Sequence, residues 1–330
     1  MPPISPPATD DVHRLALELP VRSEPVNVHI VLDEPLTLVD TGPNREQALA
    51  SLETALAAHG RRVEDVGRVI LTHQHFDHIG LASEIHRRSG AEVWAHPLLV
   101  PWLAEEPLHF RLDLDFTTEL MLANGVPEEV IAPMLEAEQE KLSWDPSVTV
   151  THELREGEEV ESANRRWRVV HAPGHSPFDT LLLDEARGEL FSGDHLLPNI
   201  SPNPIMTTAP NLPAETPHRA MRAFRASLAR SRRLDAEVVH PGHGQRFSGH
   251  REAIDFRFAE MAERQRQIAA VIAARPRTPH EVAREIWPQA AIALPHLTLY
   301  EVLGHVDLLV EAGEVAKNPD GGVTRLVATP

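Results

Sequence analysis

The apolar positions along the chain alternate between strand-like and helix-like spacing from beginning to end. Residues 26–32 (VNVHIVL) and 36–39 (LTLV) read as two strands around a turn at 33–35. Residues 45–59, rich in Ala and Leu, read as a helix that Gly60 stops. A short apolar strand at 68–72 runs into the polar string His73-Gln74-His75-Phe76-Asp77-His78, then a helix to about residue 89 and a strand at 92–95. Residues 98–147 turn helical, interrupted by Pro107, Pro127 and Pro133. Strands return at 149–152, at Val160, and at 166–171, 180–183 and 189–192, with Gly188 in a hairpin turn. A helix at 214–233 and a strand at 236–240 follow, then a long helix at 251–275 that ends before Pro276. Helices at 278–286 and 297–312, then a hairpin across 313–328 turning at 318–322, have the outline of a winged helix.

This order predicts an α/β chain in four parts: a loose N-terminal arm (1–20), a main domain (21–250) with a helical insert at 98–147, a connecting helix (251–275) and a small C-terminal domain (276–330). No internal repeat is apparent.

Four of the predicted strands end in loops that offer metal-ligand side chains. His73, His75, Asp77 and His78 follow the strand at 68–72. His175 stands in Pro173-Gly174-His175-Ser176, Asp194 in Ser192-Gly193-Asp194-His195 and His243 in Pro241-Gly242-His243-Gly244. Each of these three loops has a glycine before its ligand, which lets the backbone turn sharply and approach an ion. Strand ends are where α/β enzymes place their sites, so the four loops describe one convergent centre. Five His and two Asp form an all-nitrogen-and-oxygen donor set. That favours zinc and leaves iron, manganese and nickel open. Ligands enough for two ions with room left for substrate mark a catalytic site rather than a structural one.

Composition narrows the chemistry. The chain has no cysteine, which excludes disulfides, thiolate zinc sites and a cysteine nucleophile, and fits a cytoplasmic protein. The net charge is −18, and half of it lies in the insert, where eleven Asp and Glu face Arg111 and Lys141. The tail at 276–330 holds four basic residues against seven acidic ones. Nucleic acid is therefore an unfavourable partner. The start of the chain lacks a signal-peptide pattern, and no apolar run is long enough to span a membrane.

The metal string and its three glycine loops resemble the metallo-β-lactamase superfamily, an αββα sandwich, over about residues 26–249. The resemblance implies a first metal on His73, His75 and His175. It implies a second on Asp77, His78 and His243, with Asp194 bridging. Asp40, in Asp40-Thr41-Gly42, resembles the acidic residue of that family's VDTG turn, which supports the site from behind its ligands. The tail resembles the winged helix of the branch that includes lactamase-like endoribonucleases and polyketide thioesterases.

The expected mechanism is a hydroxide shared by two zinc ions, with Asp77 orienting the water and His195 polarising the substrate or protonating the leaving group. The expected substrate is a small carboxylic derivative: a thioester, lactone or ester. Cleavage of single-stranded RNA and a nucleic-acid-binding regulator are the alternatives. The winged helix is read as a lid or as the contact of a homodimer. His96, His171, His240 and Tyr300 are read as packed residues, and residues 198–210 as a wall of the site. Trp102, Phe110, Phe116, Met121 and Met134 are read as core of the insert, with the lining of a substrate pocket as the alternative.

Overall fold

The computed structural model describes residues 11–19, 24–139, 146–200, 202–209 and 211–329. Two sheets lie face to face. The first has six strands in chain order: β1 (Val12–Leu17), β2 (Val26–Val31), β3 (Thr37–Val39), β4 (Arg68–Ile70), β5 (Glu92–Ala95) and β6 (His152–Glu153). The second, of five strands, runs β11 (Val238–Pro241), β10 (Glu189–Gly193), β9 (Thr180–Asp184), β8 (Arg166–His171) and β7 (Glu159–Glu161).

Every residue of β2, β3, β9 and β10 is buried, because each sheet is covered on both faces. Val31, Val39 and Ile70 of the first sheet meet Trp167, Leu182 and Phe191 of the second. On the outer face of the first sheet, helices α1 (Glu46–Ala57) and α3 (Ala82–Ser89) pack Leu52, Leu56 and Ile85 against Ile30, Leu38 and Val69. On the outer face of the second, α7 (Ala220–Ser231) and α8 (His250–Ala274) pack Phe224, Leu228 and Ile254 against Leu181, Leu190 and Val239. The layers are therefore αββα.

The expected insert is helical: α4 (Val100–Ala104), α5 (Glu106–Ala123) and α6 (Glu128–Gln139). The C-terminal elements are α9 (Pro279–Ile286), α10 (Ala290–Ala293), α11 (Pro295–Glu311) and the hairpin β12 (Val315–Asp320) and β13 (Val323–Ala328). Thr278 caps α9 in a box with Glu281, which explains the sharp restart after Pro276. Among the described residues, no helix is long and apolar enough to cross a membrane.

Two expectations need correction. Residues 12–17, assigned to a loose arm, form an edge strand paired antiparallel with β2 across its full length. The proline-rich flank hid a segment in which Val12 and Leu17 are buried. Residues 1–10 of that arm lie outside the described residues. The strand expected at 149–152 is reduced to the pair His152–Glu153, and residues 149–151 are irregular.

Candidate metal centre

All seven predicted ligands converge where the strand ends of the two sheets meet. Three groups of side chains could each hold an ion, their ligand atoms lying within 4.8 Å of one another: His73, His75 and His175; His73, His78 and Asp194; and Asp77, His78 and His243. In the first group His75 Nδ1 lies 2.9 Å from His73 Nε2 and 3.0 Å from His175 Nε2. In the third, His243 Nε2 is 3.6 Å from Asp77 Oδ2, and His78 Nε2 is 4.0 Å from Asp77 Oδ1. Asp194 stands between the two groups. Its Oδ1 is 3.4 Å from His78 Nε2, and its Oδ2 is 3.5 Å from His175 Nε2 and 3.3 Å from His243 Nε2.

The local backbone explains the convergence. Phe76–Ile79 is one short helix, α2, rather than a plain loop, and it carries Asp77 and His78. Its last turn is tied down by Thr41, whose N and Oγ1 both donate to His78 O, at 2.7 and 2.9 Å. Gly242 is obligatory, because a Cβ there would fall 2.2 Å from Asp194 Oδ1 and 2.8 Å from His78 Cε1.

Hydrogen bonds behind the ligands set their tautomers. Asp40 is the only non-glycine residue with positive φ (61°) among the described residues, a conformation kept where the surroundings over-determine it. Its Oδ1 accepts from Thr72 N and its Oδ2 from Thr72 Oγ1, both at 2.9 Å. With its proton committed to Asp40, Thr72 Oγ1 accepts from His73 Nδ1 at 2.9 Å, leaving the lone pair of His73 on Nε2. His78 Nδ1 donates to Asp40 Oδ2 at 2.8 Å, His175 Nδ1 to Asn203 O at 2.8 Å and His243 Nδ1 to Pro25 O at 3.0 Å. Four imidazoles thus turn a lone pair toward the centre, as ligand histidines do.

The electrostatics agree. Burial pulls His78 down, but the carboxylates of Asp194, Asp40 and Asp77 outweigh it and lift the group to about 10. Burial would push Asp194 up, but His243 and His78 hold it well below the ordinary carboxylate range. His78 Nε2, His243 Nε2 and Asp194 Oδ1 are buried and make no hydrogen bond to a described residue. A buried nest of carboxylates and lone pairs that attracts positive charge fits bound metal cations.

His195 is not brought to this centre. The turn that aims Asp194 inward sends its neighbour to the other side. There His195 Nε2 lies 2.9 Å from Ser231 Oγ of α7, and the ring is edge-on to Phe224. Burial pushes it down to about 3, so it is neutral. This placement offers the expected role in leaving-group protonation no reacting atom to meet. His96 and His171 stack on each other at 4.0 Å, and His240 stacks on Phe191, in keeping with packing roles.

Two further sets of residues complete the site. Asn27 of β2 donates from Nδ2 to Pro241 O and Gly244 O, both at 2.8 Å, and its backbone N donates to Gly242 O at 2.7 Å. It thereby clamps the loop that carries His243. No local signal marks it, since its partners are more than two hundred residues away. The second set lines a cavity that opens beside His75. Trp102, Phe110 and Met134 of the insert, Ile205 and Thr207 of the irregular 202–209 run, and Leu297 and Tyr300 of α11 enclose it. The 202–209 run is thus a wall of the site, as expected. Gln74 and Asp113 also face the cavity and were not singled out.

Comparison with known proteins agrees with the geometry. Residues 21–243 match the protein family described as the Metallo-beta-lactamase superfamily. The chain is 29% identical over 306 residues to the probable metallo-hydrolase YqjP of Bacillus subtilis, covering 91% of this chain and 92% of that one. A crystal structure of a metallo-beta-lactamase family protein from Thermus thermophilus superposes with a TM-score of 0.80 and 27% identity, over 97% of this chain and 99% of that one. A beta-lactamase domain protein from Burkholderia ambifaria does so with a TM-score of 0.81 and 27% identity, over 97% and 93%. Both matches extend through the C-terminal helices and hairpin. Strand-end ligands, inward-facing lone pairs and a matched family all describe the same centre, and the chain belongs to the metallo-beta-lactamase superfamily as a metal-dependent hydrolase.

Proposed function

We propose that the protein is a cytoplasmic, dinuclear zinc hydrolase that acts on a small carboxylic derivative: a thioester, lactone or ester. His73, His75 and His175 would hold one ion, Asp77, His78 and His243 the other, with Asp194 shared. When bound, two zinc ions supply Lewis acidity and a water acidic enough to attack near neutral pH. Asp77, with one oxygen toward His78 and the other toward His243, would accept a hydrogen bond from that water and orient it. Thr72 and Asp40 keep His73 and His78 in the tautomers the site needs. Trp102 and Tyr300, both about 2% exposed, limit water in the cavity.

The observation that carries the choice of substrate is the lining of the cavity. Among the described residues it contains three carboxylates, Glu106, Asp113 and Glu138, and no lysine or arginine. A phosphodiester would find no basic side chain in that lining to receive it. The tail argues the same way. We read α9 to β13 as a winged helix, but the body of α11 is buried, with Leu299, Tyr300 and Leu303 against the insert and Val302, Val306 and Leu309 against its own domain. A helix so covered cannot enter a nucleic-acid groove. It supports the wing as a fixed lid.

Elemental analysis should approach two zinc ions per chain. A panel of neutral thioesters, lactones and esters should include at least one hydrolysed with a higher kcat/KM than single-stranded RNA, at low and at moderate salt. Efficient RNA cleavage weakened by salt would move the chain to the ribonuclease reading. One iron per chain with oxygen-dependent turnover would move it to dioxygenase chemistry.

A further inference from the structure

The cavity beside His75 has a polarity of its own. Its body is apolar and aromatic: Trp102 from α4, Phe110 and Leu114 from α5, and Tyr300 from α11. Three polar atoms in its wall are left over among the described residues. Trp102 is 2% exposed, yet its Nε1–H donates to none of them. Gln74 is 4% exposed, its Nε2 reaches Thr207 Oγ1 at 3.4 Å, and its Oε1 accepts from none of them. Asp113 Oδ1 accepts from Thr208 N at 2.7 Å and from Thr208 Oγ1 at 3.4 Å, whereas Oδ2 is bonded by no described residue. Native interiors rarely leave a buried donor and a buried acceptor unmet in the wall of one cavity, and a ligand is one of the few explanations.

We propose that this cavity is the acyl subsite of the substrate, and that Asp113 selects an acyl group bearing a protonated amine. The apolar body of such a group packs on Trp102, Phe110 and Leu114. Its ammonium donates to Asp113 Oδ2 and Gln74 Oε1 and is attracted by the aromatic faces around it. Trp102 Nε1–H is free to meet an acceptor oxygen of the same molecule. This rests on the reading of the substrate as a carboxylic derivative.

The surrounding charge supports the choice. Burial pushes Asp113 up to about 7, and burial followed by the Asp113 charge raises Tyr300. Burial is what holds both groups toward their protonated forms, and the charge of an ammonium would offset it at Asp113. A hydroxyl in its place would satisfy the hydrogen bonds without the charge. A carboxylate would meet Asp113 with like charge.

The test uses the zinc-loaded full chain and two measurements. The first is binding of hexylammonium and hexanol by calorimetry, to the wild type and to Asp113→Asn, which preserves the shape of the side chain. Hexylammonium should bind the wild type at least tenfold more tightly than hexanol, and Asp113→Asn should remove that advantage at unchanged zinc content. The second is kcat/KM for isosteric esters whose acyl chain ends in ammonium, hydroxyl, methyl or carboxylate. The ammonium-to-methyl ratio should exceed ten and fall at least tenfold in Asp113→Asn. Equal binding of the two probes by the wild type, or a preference that Asp113→Asn leaves intact, overturns the proposal. Should the variant not fold, the wild-type ordering decides alone. Asp113-dependent binding without hydrolysis of any ester would leave this inference standing and remove the substrate reading beneath it. Hydrolysis without an ammonium preference would do the reverse.

Discussion

At the scale of single residues, the centre separates side chains that touch an ion from those that hold them in place. Asp194 faces both ligand groups, through Oδ1 toward His78 and Oδ2 toward His175 and His243. Asp194→Asn replaces one acceptor oxygen with a donor and removes the charge. Zinc content and kcat should therefore fall together, by plasma emission and steady-state rates. His195→Ala should keep its zinc while losing about 1–3 kcal/mol of stability, since its ring fills space beside Phe224 and bonds Ser231. Full activity in Asp194→Asn would remove the shared role. Asn27 offers a sharper case, because it touches no ligand side chain. Asn27→Ala deletes the bonds to Pro241 O and Gly244 O and frees the His243 loop. It should weaken the second zinc tenfold or more, as loss of supporting hydrogen bonds does. The first zinc, on His73, His75 and His175, should stay, and an even loss of both would refute the clamp.

At the scale of elements, legibility follows sequence distance. The string from His73 to His78 could be read because one short segment supplies four ligands, and the other three loops because a glycine and a strand end announce each one. The strand β1 could not, since its partner β2 decides it rather than its own composition. Of the cavity only the shares of the insert and of the run after Asp194 could be read, and the contribution of α11 could not. Met121, Ile131 and Met134 of the insert pack with Leu299, Tyr300 and Leu303 of α11, a single core assembled from two distant segments. Read alone, each looks like an ordinary amphipathic helix. The same joint reaches the metal. Asn203 Nδ2 donates to Leu297 O at 3.0 Å, and Asn203 O accepts from the ligand His175. Truncation after Arg275 should therefore expose Ile268 and Ile272 of α8, open the cavity and loosen His175 at once. Reduced solubility and a fall in kcat/KM of at least tenfold are expected, with less first-site zinc. A milder cut, Leu299→Ala, should cost about 2–5 kcal/mol and raise KM more than it lowers kcat. A truncated chain with wild-type kinetics would mean that the tail is an independent appendage.

At the scale of the whole molecule, buried histidines tie stability to pH. Burial, the largest effect at each, lowers His29 to about 4, His96 and His195 to about 3 and His240 to about 2. In the unfolded chain each returns to about 6.5. Below that pH the unfolded state takes up protons that the folded state refuses, so unfolding is favoured. The stability these groups contribute is complete above about 6.5 and is lost as pH falls toward their folded values. Each contributes up to about 1.4 kcal/mol per pH unit within that window. His78, lifted to about 10 without metal, is protonated in both states below 6.5 and adds no slope there. Carboxylates held low, such as Asp11 beside Arg165 and Asp33 beside Ser162, act only below about 4, whereas Asp113 and Asp179, pushed up by burial, are protonated first in the folded state and offset part of the histidine effect in this window. The net charge of −18 works the other way, because acid first relieves self-repulsion. A loss of stability on mild acidification therefore comes from the histidines. Urea midpoints measured with zinc chelated throughout, so that metal release is not the cause, should decline steadily from about pH 7 to about pH 5. His29 and His240 both pack on Phe191 and on each other between the sheets, their rings 5.6 Å apart. Protonating either one there places a charge in the middle of the sandwich. His240→Gln should flatten the slope by about one histidine's share, and a midpoint that does not move over this range would overturn the assignment of these rings as neutral.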